Sequence, residues 1–128
     1  MIALLLGATT PQAAPHWVPI GVSQSRLHLF VDQNSLKPSG TLIDATIRMG
    51  SPTSVTGKVV LVYQYEEFDC TARRWRLTGY EGVDASGAVI VRSSHKASAP
   101  PLLPVENGSM GEENLETVCF LAKQHKSG

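Results

Sequence analysis

The chain has few of the features that mark an enzyme or a nucleic-acid-binding protein. Its 128 residues include two cysteines, four histidines and only 6% aromatic residues, and eleven Lys/Arg balance eleven Asp/Glu. Because there is no excess of positive charge, no long-range field attracts nucleic acid or an anionic membrane surface. The length suits one domain and is too short for two independent cores. We therefore expect one folded domain with no nucleic-acid partner.

Long hydrophobic runs are also missing, since no segment approaches the roughly 20 apolar residues of a membrane-spanning helix. Six apolar residues open the chain, and small or turn-forming residues follow as far as Ala14. This pattern is typical of the later part of a secretory signal peptide, with a buried N-terminal strand as the alternative. We expect residues 1–15 to be a signal-peptide remnant. The protein would then be exported to the periplasm or the cell surface, without a membrane span.

The two cysteines, Cys70 and Cys119, are the most informative pair in the sequence. An even number of cysteines in an exported protein favours a disulfide, and no CxxC or Cys/His spacing indicates zinc or redox chemistry. Two buried free thiols, or a catalytic cysteine, are the alternative, but no histidine lies beside Cys70. We therefore predict a disulfide between Cys70 and Cys119.

Most of the chain has the alternating pattern of strands separated by short polar turns. The predicted strands cover residues 17–22, 26–32, 41–49, 58–69, 73–83 and 88–92. Short connections favour an antiparallel sheet of about six strands, with bulges at Gly79 or Gly82. The first half of 58–69 is predicted to be buried on both faces. Three prolines in 93–104 predict an irregular segment that does not extend the sheet.

The C-terminal region carries the pattern of one amphipathic helix. Ser109 and Glu112 form a capping box. Apolar residues then recur at positions i, i+3, i+4 and i+7 from Leu115 to Ala122, with Cys119 on that face. We predict a helix over about 110–124 and a disordered tail over 125–128. The predicted fold is α+β, a single domain over 16–124 with one disulfide.

One basic cluster stands out as a candidate site. It consists of Arg73, Arg74 and Arg76. The cluster faces three acidic residues, Glu66, Glu67 and Asp69, across the predicted hairpin at Cys70. Cross-strand ion pairs are the first interpretation, and an exposed binding patch is the alternative.

Motifs for catalysis, metals and cofactors are missing. The four histidines show no metal-ligand spacing, and no G-x-S-x-G turn occurs. We expect no enzyme activity, no metal and no cofactor. Six aromatic residues are predicted to be core or cross-strand pairs, with an aromatic groove as the alternative for some: Trp17, Tyr63, Tyr65, Phe68, Trp75 and Tyr80. The edges of such a small sheet also favour a homodimer.

The order of these elements resembles the surface-adhesin protein E family of Gram-negative bacteria. The segments that carry the resemblance are 17–21, 29–40, 66–75 and 104–119, together with the two cysteines. The resemblance implies a C-terminal helix fixed to the sheet by the disulfide, a location in the cell envelope, and adhesion to host extracellular-matrix proteins. We expect a non-enzymatic protein-binding or adhesion module. The alternative is a periplasmic structural or accessory protein without adhesin activity.

Overall fold

A computed structural model describes residues 14–50, 58–94 and 98–127. Within these ranges the chain forms one antiparallel sheet and one α-helix, which confirms the α+β class. The strands are β1 (Trp17–Val22), β2 (His28–Asp32), β3 (Lys37–Ser39), β4 (Leu42–Gly50), β5 (Leu61–Asp69), β6 (Arg74–Val83), β7 (Val89–Ser94) and β8 (Leu103–Pro104). A 3-10 turn (Gln33–Ser35) precedes β3, and the helix is α1 (Met110–Ser127).

The main sheet has the order β1-β2-β4-β5-β6-β7, while β3 pairs with β4 and β8 pairs with β6. The additional strands β3 and β8 contain Pro38 and Pro104, and the sequence pattern assigned both regions to turns or irregular chain. The prediction that 93–104 does not extend the sheet was therefore wrong at both ends, since β7 reaches Ser94. Proline lacks a backbone donor but is tolerated in short strands at the margin of a sheet.

The predictions for the two ends of the chain can be compared with the structure only in part. The helix continues to Ser127, so residues 125–127, which were expected in a disordered tail, are helical. The expected signal-peptide remnant, residues 1–15, lies outside the described residues except for its last two. In the described part of the chain, no helix is long and apolar enough to cross a membrane.

The hydrophobic core lies between α1 and one face of the sheet. Direct partners in register, such as Val31 and Ile47, have side chains on the same face. The core consists of Leu29, Val31, Ala45, Ile47 and Phe68 from the sheet and Leu115, Val118 and Leu121 from the helix. The buried residues of β5 lie in its second half, contrary to the prediction: Phe68 packs against α1, and Glu67 pairs with Arg76 on the opposite face.

The start of α1 is fixed by local hydrogen bonds. The backbone N–H of Glu112 donates to Ser109 Oγ (3.1 Å), as the capping box predicts. The Glu112 carboxylate accepts from the backbone N–H of Gly108 (2.9 Å). In a standard capping box it would accept from the N–H of the N-cap residue, Ser109. Gly108 has a φ of 79°, which glycine adopts without strain. The chain therefore enters the helix in a defined direction.

The disulfide between Cys70 and Cys119 joins α1 to the end of β5, as predicted. Cys70 directly follows the last residue of β5, and Cys119 lies in the middle of the helix. The bridge closes a loop with a sequence separation of 49 residues. It therefore restricts the unfolded chain and holds the helix over the core.

Replacing both cysteines by alanine should lower the free energy of unfolding by about 4 kcal/mol. Without the cross-link the unfolded chain has more conformational entropy, and for a loop of this length the gain corresponds to that free energy. Urea unfolding of the oxidised wild type and of the double variant measures the difference. Equal unfolding midpoints for the two proteins, or two reactive thiols in the denatured and unreduced wild type, would contradict the structural role of the bridge.

Candidate functional site

The face of the sheet opposite α1, here called the open face, carries polar and aromatic side chains. Thr46, Tyr65 and Gly79 are consecutive partners across β4, β5 and β6 and therefore share one face. Arg48, Tyr63 and Glu81 each lie two residues away on these strands. They are also partners in register and share the same face. Because side chains alternate along a strand, these positions lie opposite to core residues such as Ile47.

One end of the open face holds an arginine among aromatic rings. The Arg48 guanidinium carbon lies 4.5 Å from the ring centroid of Trp17 and 4.7 Å from that of Phe30. The rings of Trp17 and Tyr63 are 6.0 Å apart, although their strands are not neighbours. Cation–π contacts of this kind hold a charged group close to apolar surface. The sequence pattern predicted core or cross-strand pairs for Trp17 and Tyr63, with an aromatic groove as the alternative, and both lie in this cluster outside the core.

A cavity of about 380 Å³ lies further along the open face, between residues of β4, β5, β6 and β7. In its wall, the Tyr65 hydroxyl donates to Glu81 Oε1 (2.9 Å) and Arg92 Nε donates to Glu81 Oε2 (2.9 Å). Burial and the neighbouring Glu81 carboxylate raise the pKa of Tyr65 to about 12, so the phenol keeps its proton. These three side chains form a fixed polar wall.

Gly79 is also part of this cavity. A Cβ atom at this position would lie 2.8 Å from the carbonyl oxygen of Ser93, which is closer than side chains approach. The same Cβ would lie 3.7 Å from the Tyr65 ring. Glycine therefore allows β6 and β7 to approach each other beside the tyrosine.

Glu66 lines the same cavity and is 3% exposed. The sequence pattern placed it opposite the arginine cluster, and this was wrong. A register shift between Tyr65 and Glu66 leaves Thr78 as an extra residue on β6, so that Leu77 faces Glu66. No ion pair within the described residues involves Glu66, and burial raises the pKa of its carboxyl to about 8.

The predicted arginine cluster is divided among three environments. Arg76 Nε forms an ion pair with Glu67 Oε1 at 2.7 Å, and Arg74 lies opposite Asp69 in register. Arg73, with a φ of 56°, turns to the helix, where its Nη2 contacts Glu112 (2.8 Å) and Glu116 (3.3 Å). Cross-strand pairing thus describes Arg76, whereas Arg73 binds the helix.

The sequence pattern did not single out the open-face cavity. The available signal was the row of alternate polar positions on β4, β5 and β6, but the register that brings them together depends on distant strands. No group of three or more His, Cys, Asp or Glu side chains in the described ranges is placed to bind a metal ion.

The family model described as surface-adhesin protein E matches residues 17–120. The chain belongs to the surface-adhesin protein E family. The match begins at the first residue of β1 and ends in α1, one residue after Cys119, so that it contains the sheet and both bridging cysteines. Comparisons with curated proteins and with solved structures gave no significant match.

In this adhesin-family protein the arginines should differ in their effect on stability. Arg76→Met removes an ion-pair partner of Glu67, whose side chain is only 7% exposed, and should cost about 3 kcal/mol. Arg73→Met should cost at most about 1 kcal/mol, because the Arg73 side chain is 45% exposed and its ion pairs are screened by water. Urea unfolding at pH 7 measures both losses. Equal losses would contradict the two assigned environments.

Burial of Glu66 should make stability depend on pH. The pKa of Glu66 is raised in the folded state. Its contribution to the free energy of unfolding is therefore fully present below the ordinary pKa of 4.5 and is lost as the pH rises towards 8. Between these two pH values the free energy of unfolding of the wild type should fall by roughly 1.4 kcal/mol per pH unit relative to that of Glu66→Gln. Urea unfolding from pH 5 to 8 measures this difference. Glu106→Gln, at an exposed position, serves as the control, and parallel curves for wild type and Glu66→Gln would rule out the effect.

Proposed function

We propose that this protein is an exported, non-enzymatic binding module of the cell envelope that attaches to a protein partner along the edge of its sheet. Membership of the surface-adhesin protein E family supports a surface or exported protein. The disulfide supports the same location, because such bridges form and persist in oxidising compartments.

The observation that carries the proposal is the exposure of strand β7. Val89, Ile90 and Val91 are consecutive aliphatic residues, and each is 41% to 47% exposed. In the described part of the sheet, β7 pairs with β6 and forms the end of the strand order. Ile90 is an extra residue between the register pairs Gly82–Val91 and Val83–Val89, so the outer backbone groups available to another strand are those on either side of this bulge.

The chemistry of β7 indicates the kind of partner. Strand addition supplies backbone hydrogen bonds, and side chains at alternate positions supply specificity. Ile90 is uncharged, and the neighbouring Arg92 guanidinium is bound to Glu81. We infer that the partner contributes an extended segment with apolar residues at alternate positions. A host matrix protein or an envelope protein can present such a segment, and a second copy of this chain would do so in a homodimer.

A periplasmic accessory role without adhesion is the second candidate. It is favoured by the zero net charge and by the ion pairs of Arg73 and Arg76, which occupy two members of the basic cluster. As a binding patch for a polyanionic matrix, the cluster would depend mainly on Arg74, which is exposed, since Arg73 and Arg76 are held by these ion pairs. Cellular location separates the two candidates.

External protease added to intact cells that express the native gene should degrade the protein if it acts as a surface adhesin. Immunoblotting measures the remaining protein, with a known periplasmic protein as the control for envelope integrity. Protection of the protein until the outer membrane is permeabilised would contradict the adhesin role and support the periplasmic alternative.

Binding to immobilised extracellular-matrix proteins tests the β7 edge directly. Ile90→Lys should weaken binding at least about tenfold, because a charge on an edge strand opposes strand addition. Phe120→Lys is the matched control, since Phe120 is 60% exposed on α1, away from β7. Equal effects of the two substitutions would exclude the β7 edge as the binding site. Light scattering of the purified protein shows whether a second copy of the chain occupies this edge.

A further inference from the structure

We propose that the open face binds a neutral saccharide, with one sugar unit in the cavity beside Tyr65 and further units along the aromatic cluster of Trp17, Phe30 and Tyr63. This inference concerns a ligand and a surface separate from the β7 edge. It therefore does not depend on the proposed attachment to a protein partner.

The lining of the cavity matches a ligand with many hydroxyl groups. The lining residues whose side chains lie on the open face, apart from Gly79, are all polar: Asp44, Thr46, Tyr65, Glu81, Arg92 and Ser94. Serine and threonine hydroxyls both donate and accept hydrogen bonds, and carboxylates accept them. Sugar hydroxyls also do both, so that each can find a partner among groups of this kind. A volume of about 380 Å³ lies in the range of small-ligand sites.

Tyr65 supplies the apolar surface that a sugar ring also needs. It is 37% exposed, and its hydroxyl is held by Glu81, which Arg92 holds in turn. The ring is thereby fixed before a ligand arrives, so that little side-chain entropy is lost on binding. The electron-rich face of an aromatic ring attracts the weakly positive C–H groups of a pyranose.

The charges of the cavity disfavour an anionic ligand. Asp44 and Glu81 lie in the lining with one cationic residue, Arg92, whose guanidinium is already paired with Glu81. A phosphate or sulfate would meet carboxylates there. A neutral ligand avoids this repulsion and can donate hydroxyl hydrogens to the acceptors.

The aromatic cluster extends the surface beyond one sugar unit. Tyr63 is two residues from Tyr65 on the same face of β5, and Trp17 lies 6.0 Å from Tyr63. Arg48 lies over the rings of Trp17 and Phe30 and covers one face of each, so a further sugar unit there meets the guanidinium donors as well as the aromatic rings. A row of aromatic side chains on a solvent-facing sheet can contact successive units of an extended oligosaccharide.

Saturation-transfer NMR with the oxidised full chain tests the proposal, using maltotetraose and N-acetylchitotetraose as neutral probes. Spermidine is the cationic probe and a heparin tetrasaccharide is the anionic one. We expect transfer to at least one neutral probe, with a dissociation constant on the order of 1 mM or lower. Transfer to spermidine or heparin alone, or to none of the probes, would overturn the proposal.

Two substitutions at one position locate the site. Tyr65→Ala should weaken binding at least about tenfold, whereas Tyr65→Phe, which keeps the ring but loses the hydroxyl that fixes it, should weaken binding less than Tyr65→Ala does. Phe120→Ala is the control for loss of an exposed aromatic residue elsewhere. Unchanged binding by a folded Tyr65→Ala protein would contradict the assignment of the binding site to this cavity.

Amide chemical shifts of the wild type provide a test that does not depend on any variant. Addition of the bound neutral probe should shift the amides of Thr46, Gly79 and Ser94, which lie around the cavity. Shifts confined to α1, or to the β1–β2 hairpin, would contradict the assigned location even if a saccharide binds.

Discussion

Packing of α1 against one face of the sheet is the interaction on which the rest of the structure depends. A domain of this size buries its apolar surface by pressing two layers together, and here the second layer is one helix. Leu115 and Val118 insert between buried residues of β2, β4 and β5. The Cys70–Cys119 bridge holds this arrangement by tying the middle of the helix to the end of β5.

A single covering helix leaves the two faces of the sheet with different chemistry. The covered face is aliphatic, whereas the open face places Arg48, Tyr63, Tyr65 and Glu81 in contact with one another or with water. The polar network of Tyr65, Glu81 and Arg92 spans three neighbouring strands without help from α1. The face that the fold does not need for its core is thus the one with the chemistry to bind a ligand.

Local sequence patterns were sufficient for the elements that follow local rules. Alternation located the long strands, the i, i+3, i+4, i+7 pattern located α1, and the Ser109–Glu112 capping box located its start. Two of the three register shifts in the described part of the sheet occur next to Gly79 and at Gly82, where glycine indicated bulges, whereas the third, between Pro19 and Gly21, was not predicted. These features depend on neighbours within a few residues and are therefore visible in the sequence.

Features that depend on distant residues were not predictable in the same way. The partners of Arg73 lie about 40 residues away on α1, and its positive φ has no local sequence signal. The position of Glu66 depends on one extra residue, Thr78, in the neighbouring strand. The short strands β3 and β8 form despite their prolines because each adds to the margin of an existing sheet. The cavity needs four strands in register and so appears only in the folded chain.

Hydroxyl-radical footprinting of the oxidised protein tests most directly whether α1 seals one face and leaves the other open. Oxidation rates of individual residues, each divided by its rate in the urea-unfolded chain, are measured by mass spectrometry. The account predicts fast oxidation of Tyr65 and Ile90 and strong protection of Phe68 and Leu115. Oxidation of Phe68 as fast as that of Tyr65, or protection of Tyr65, would contradict it.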